Sequence, residues 1–214
     1  MTAAPADHGV PDTPAAWAGG WYRAATACRS PNFGPRPPHT ALDLVVLHSI
    51  SLPPGEFGTG CVQQLFCNQL DWDAHPYFQQ IRGLEVSAHF FITRDGALWQ
   101  FVSCDDRAWH AGVSSWKNRP NCNDYAIGIE LEGLEGELFA APQYARLETL
   151  LSALVRAYPI RGIVGHEHIA PGRKADPGAG FDWALLQQLL QLPPDYFPEN
   201  TGVSPAKPAT SSAK

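Results

Sequence analysis

Apolar positions recur with two different periods along this chain. The β-branched-rich run ALDLVVLH (41–48) is followed by the turn-forming SLPPGEFGTG and predicts a buried strand ending at His48. CVQQLFCNQL (61–70) then predicts a short helix. VSAHFFIT and ALWQFVS flank Arg94-Asp95-Gly96, and an Asp-Gly pair between two strand-like runs predicts a β-hairpin. In DYAIGIELEG, Ile127, Ile129 and Leu131 alternate with Gly128, Glu130 and Glu132, a strand with one core face and one small, acidic face.

The period changes after Pro142. Tyr144, Leu147, Leu150, Leu151, Leu154, Val155 and Tyr158 recur at helical spacing, with Pro142 suited to a first turn. IRGIVGH predicts a short strand leading to His166, and FDWALLQQLLQL predicts a last helix stopped by Pro193-Pro194. This order of strands and helices predicts an α+β fold, a mixed β-sheet flanked by α-helices.

No internal repeat interrupts it, so a single domain is expected over residues 21–192. The 20 prolines crowd the first twenty residues, PNFGPRPP and the last segment. Residues 1–20 are therefore expected to be a flexible arm and 193–214 a disordered Pro-rich tail.

Composition narrows the function. With 44% hydrophobic residues the chain can build a core, and with a net charge of -6 it offers no basic field for nucleic acid. No apolar run approaches the ~20 residues of a membrane-spanning helix. MTAAPADHGVPDTPAAW lacks the cationic start and apolar stretch of a secretory signal, so a cytoplasmic protein without membrane or obligate protein partner is expected. Five cysteines without a C-x-x-C pair read as reduced, packing thiols.

Candidate chemistry gathers at strand ends. His48 and His166 each follow an apolar strand, and Asp176 stands ten residues after His166, ahead of Pro177 and Gly178. Two imidazoles and a carboxylate can form a three-ligand zinc site that keeps a fourth position for water; on spacing alone, core histidines and a turn aspartate explain them equally well. Glu130 shares its strand face with Ala126 and Gly128, which leaves room for a ligand and suits a proton acceptor, although an exposed strand carboxylate is the other reading and Glu132 fits the pattern equally. Lys174 can aim an ammonium at an oxyanion or be a solvated loop lysine.

Five segments in order, VVLHSISLPPGEFG, VSAHFFITRDG, RAWHAG, CNDYAIGIELEG and GHEHIAPGRKADPG, resemble the AmpD-type 1,6-anhydro-N-acetylmuramyl-L-alanine amidases, within the superfamily of N-acetylmuramoyl-L-alanine amidases and peptidoglycan recognition proteins. The resemblance runs from about Trp21 to Trp183. It implies a mixed sheet flanked by helices with one zinc ion in a surface groove. It also implies that His48, His166 and Asp176 are the zinc ligands, Glu130 the catalytic acid/base and Lys174 the transition-state stabiliser. The implied substrate is a muropeptide, cut between anhydro-N-acetylmuramic acid and L-alanine during peptidoglycan recycling, with an influence on β-lactamase induction.

Trp109 and His110, in the AWHAG segment, are candidates to line the groove and contact the substrate; packing at a strand end is the alternative. His168 stands where relatives carry an acidic residue and offers an alternate or outer ligand. Glu85 and Asn121 replace arginines that contact the muropeptide in some relatives, with Arg82 and Arg119 close by. Two rival functions share the same groove: a lytic amidase acting on polymeric peptidoglycan, and a non-catalytic recognition module.

Overall fold

The two runs with the clearest strand patterns become neighbours at the centre of one sheet. The computed structural model describes residues 16–198. Short strands come first: β1 (Trp17–Ala18), β2 (Trp21–Tyr22), β3 (Thr26–Ala27) and β4 (Phe33–Gly34). β5 (Leu44–Ile50) leads to helices α1 (Cys61–Phe66) and α2 (Pro76–Gln80). The hairpin strands are β6 (Phe90–Ile92) and β7 (Leu98–Gln100), followed by β8 (Arg107–Ala108), β9 (Ser115–Trp116) and β10 (Arg119–Pro120). β11 (Ala126–Glu132), α3 (Ala141–Ala157), β12 (Gly162–Gly165), α4 (His166–Ile169) and α5 (Trp183–Leu190) complete the order.

The main sheet runs β12-β5-β11-β6-β7-β3 and is mixed, as expected: every pair is parallel except the β6–β7 hairpin. Because side chains alternate across a strand, Val45, Leu47, Ile127, Ile129 and Leu131 all point to one face. There they meet Leu147, Leu150, Leu151 and Leu154 of α3 and Leu186 of α5 in the largest apolar cluster. Truncating a fully buried leucine such as Leu154 to alanine would cost about 2–5 kcal/mol. Gln143 anchors the start of α3 by donating through Nε2 to the Glu132 carbonyl (3.0 Å) and accepting from the Ala140 amide (3.0 Å).

The opposite face is divided. Leu44, Val46, Ala126 and Val164 belong to one small apolar cluster, whereas Phe91 belongs to another with Leu65, Phe66 and Phe78. Along β5 and β11, the same face next presents His48, Gly128 and Glu130. Polar chemistry therefore occupies a seam between two apolar blocks.

Several boundaries differ from those expected. β5 does not end at His48, because Ser49 and Ile50 continue the ladder against Leu131 and Glu132. The domain reaches beyond 21–192 at both ends. Trp17 packs edge-on against Phe90 and Tyr158, and Phe197, 6% exposed, joins the main core. Residues 16–20 and 193–198 are thus part of the packed unit, since large aromatics supply apolar area that proline-rich composition conceals. The arm and tail expected over 1–15 and 199–214 lie outside the described residues. Among the described residues no helix is long and apolar enough to cross a membrane.

Candidate metal centre and active-site cleft

Register builds the centre. Parallel pairing of β5 with β11 sets His48 beside Glu130 on one face, and β12 hands the chain to α4 with His166 as its first residue. The loop after α4 returns Asp176, whose carbonyl accepts from the Glu167 amide at 3.0 Å. His48 Nδ1 and His166 Nδ1 lie 3.0 Å apart, and Asp176 Oδ2 is 3.1 Å from each. All three side chains are buried, and the group is able to hold a metal ion.

Its dimensions suit a tetrahedral ion. Metal–ligand bonds of about 2.0–2.1 Å place tetrahedral ligand atoms about 3.3 Å apart, close to the triangle formed by these three donors. The partners of the two rings leave the required lone pairs free. His166 Nε2 donates to the Ala111 carbonyl (3.0 Å), which can only accept, so Nδ1 is the bare nitrogen. His48 Nε2 meets His110 Nδ1 at 2.9 Å, and donation to His110 leaves His48 Nδ1 bare as well.

Charge follows burial. Desolvation lowers His48 to about 4, against the opposing pull of the Asp176 carboxylate beside it, so the ring is neutral. Burial opposes ionisation of Asp176, but the His166 and His48 imidazoles beside it outweigh that and hold it below the usual carboxylate range. Glu130 moves the other way: burial, then the Asp176 charge, raise it well above its ordinary value. Glu130 Oε2 is a buried atom without a protein partner among the described residues.

Glu132 resolves differently, although the alternation treats both glutamates alike. It accepts from the Gly58 amide (2.6 Å) and the Arg94 amide (2.9 Å), so its carboxylate closes loops. The space expected beside Glu130 is also filled otherwise. The His110 ring lies over Gly128 so closely that a Cβ there would sit 2.4 Å from the ring.

A cleft of about 290 Å³ opens over the centre. Glu130, Lys174, Trp109 and His110 all line it together with the three metal-competent side chains. His110 also turns its Nδ1 to His48, so it backs the centre. Lys174 is exposed, on the loop that carries Asp176.

His168 is not a metal donor in this arrangement. Its Nδ1 accepts from the Gly165 amide (2.8 Å) and its ring packs edge-on against Trp183, which turns it away from the triangle. Arg119 pairs with Asp43 and stacks over Tyr125, and Arg82 pairs with Asp73; neither lines the cleft. Burial lowers His89 well below its ordinary value, and its Nδ1 accepts from the Gly128 amide at 2.9 Å. It is a core histidine.

Sequence reasoning missed two contributors. Tyr77, Ile81 and Leu84, in and beyond α2, give the cleft an apolar wall; His75-Pro76 was the available signal, a capping side chain followed by Pro at the first helical position. Arg173 clamps the 111–113 loop by donating to the carbonyls of Ala111 (2.8 Å) and Val113 (2.6 Å). No periodic pattern marks a single loop arginine.

Three convergent N and O donors with a buried carboxylic acid in the same cleft define the class of open-site metallohydrolases. Residues 38–179 match the N-acetylmuramoyl-L-alanine amidase family, and the chain belongs to it. It is similar to the 1,6-anhydro-N-acetylmuramyl-L-alanine amidase AmpD of Citrobacter freundii, 47% identical over 80% of this chain and 92% of that protein. A crystal structure of a selenomethionine derivative of AmpD, also 47% identical, covers 81% of this chain and 98% of its own with a TM-score of 0.78. AmpDh3 of Pseudomonas aeruginosa in complex with anhydromuramic pentapeptide is 28% identical and superposes with a TM-score of 0.54, over 71% of this chain and 61% of that one.

Proposed function

We propose that the protein is a zinc-dependent amidase that cuts muropeptides between anhydro-N-acetylmuramic acid and L-alanine in cytoplasmic peptidoglycan recycling. The observation that carries this reading is the triangle of His48 Nδ1, His166 Nδ1 and Asp176 Oδ2 in the same cleft as the unpartnered Glu130 Oε2. Likeness to AmpD supports the substrate.

His48, His166 and Asp176 would hold one zinc ion, which would supply Lewis-acid chemistry for acidifying water and polarising the amide carbonyl. Glu130 takes a proton at its carboxylate from the attacking water and returns it to the leaving L-alanine nitrogen. Its raised proton affinity suits the second half of that cycle. Lys174 offers its ammonium to the oxyanion that develops on the carbonyl oxygen. Trp109 gives the sugar or peptide an aromatic surface, and His110 forms the cleft floor while orienting His48.

Purified zinc-loaded protein incubated with anhydromuramyl-tripeptide, and separately with intact sacculi, tests this directly by mass detection of released peptide. Rapid release from the soluble fragment and little from sacculi is expected. Efficient release from sacculi would make the protein a lytic amidase, and cleavage of neither would leave a recognition module.

A further inference from the structure

Away from the cleft floor, two thiols meet across an element boundary. Cys67 caps the C-terminus of α1 and Cys28 follows β3; their Sγ atoms lie 2.9 Å apart, closer than two non-bonded sulfur atoms rest. Both residues are half-buried, whereas Cys104 and Cys122 are buried.

The backbone on either side is already fixed. Cys28 N donates to the Gln100 carbonyl (2.9 Å), which holds it at the sheet edge. Ser30 Oγ donates to the Phe66 carbonyl (2.5 Å), and the Asn32 and Asn68 side-chain amides exchange hydrogen bonds of 2.7 and 3.0 Å. Residues 28, 30 and 32 thus zip the end of α1 to the sheet edge, with Leu65 and Phe66 of the same helix lining the cleft. A bonded pair of sulfurs lies about 2.05 Å apart, so less than about 1 Å of approach is needed from the 2.9 Å contact.

We propose that Cys28 and Cys67 form a reversible disulfide by exchange with a low-molecular-weight disulfide, so that this contact is a redox-responsive staple between α1 and the sheet edge. The inference stands independently of the amidase reading. Burial and the adjoining Cys28 sulfur push the Cys67 thiol up to about 12, and with Cys28 as the attacking thiol the exchange runs in two steps. The Cys28 thiolate displaces one half of the small disulfide and leaves a mixed disulfide on Cys28. Cys67 then loses its proton, attacks Cys28 Sγ and expels the second half. Two protein thiols are oxidised to one S–S bond, the small disulfide is reduced to two thiols, and the two protons pass to the leaving thiolates. In a reducing compartment the bond reopens by the reverse exchange.

The test is to expose the zinc-loaded full chain to oxidised glutathione, block remaining thiols with iodoacetamide and map unreduced peptides by mass. A peptide pair joined through Cys28 and Cys67, abolished by dithiothreitol, is expected together with a rise in Tm of about 5 °C that reduction reverses. Cys67→Ser is expected to stop at a glutathione adduct on Cys28, and Cys61→Ser to give the same cross-link as the parent. Glutathione adducts on Cys28 or Cys67 of the parent without a cross-link, or both thiols alkylated as fully as before oxidation, would overturn the proposal.

Discussion

Glu130 and His48 are register partners in adjacent parallel strands, with side chains on the same face of the sheet. Neighbouring strands lie about 4.8 Å apart, so the spacing between carboxylic acid and imidazole is set by ladder hydrogen bonds in a buried sheet. A site built on strands is held more tightly than one built on loops. Glu130 and His48 therefore cannot drift apart without breaking the two central strands.

Glu130→Gln keeps the shape of that partner and removes its proton affinity. The variant is expected to bind zinc as the parent does and to lose about 10²–10⁴ in kcat. Metal content by atomic absorption and turnover on anhydromuramyl-tripeptide check the two halves separately; parental turnover would remove Glu130 from the reaction.

Gly128→Ala tests the ring behind His48. The new Cβ collides with His110, which must swing away and release His48 Nε2. Zinc affinity is expected to fall about 10–100-fold, as for loss of other partners that orient a metal ligand. Competition against a chelating dye reads this without recourse to activity, and unchanged affinity would separate His110 from the metal centre.

Lys174→Met should lower kcat by about tenfold or more while leaving KM within a few-fold, because an oxyanion partner acts in the transition state and not on the ground state. The exposed position of Lys174 argues for the lower end of that range. A change confined to KM would assign the lysine to substrate binding instead.

Acid stability of metal-free protein follows from His48. Folded His48 stays neutral down to about 4, whereas an unfolded histidine takes up its proton at 6.5. Its contribution is thus complete above pH 6.5 and is lost as pH falls towards 4, by about 3 kcal/mol. Glu130 has the opposite sign: raised in the fold, it adds stability below its ordinary 4.5 that fades as pH rises. Denaturant unfolding in EDTA across pH 4–7 should show stability rising less, or falling more, with pH in His48→Asn and rising more steeply with pH in Glu130→Gln.

Much of this was legible in the chain. Period and turn chemistry locate β5, the hairpin, β11, α3 and α5, because each buries one continuous apolar stripe. Histidines after apolar strands and an aspartate ten residues on point to the three side chains that converge, although their spacing alone reads equally as core histidines and a turn aspartate. What stayed hidden depends on non-local partners. Glu130 and Glu132 are equivalent in the alternation, and only the amides of Gly58 and Arg94 separate them. His168 looks like a ligand until Gly165 and Trp183 claim its ring. Trp17 and Phe197 lie in proline-rich flanks whose composition hides single aromatic anchors.

His48 and His166 are 118 positions apart in sequence, yet their ring nitrogens face one another across the ion site. The pairing of β5 with β12 brings them together, so the unfolded chain does not hold the two rings side by side. An ion held there would bridge two donors separated by 118 positions of chain, a closure that the folded sheet has already made. Under the proposed amidase reading, a bound zinc would add to the stability of the folded chain by mass action, which would make the metal a clasp for the fold as well as a reagent for its chemistry.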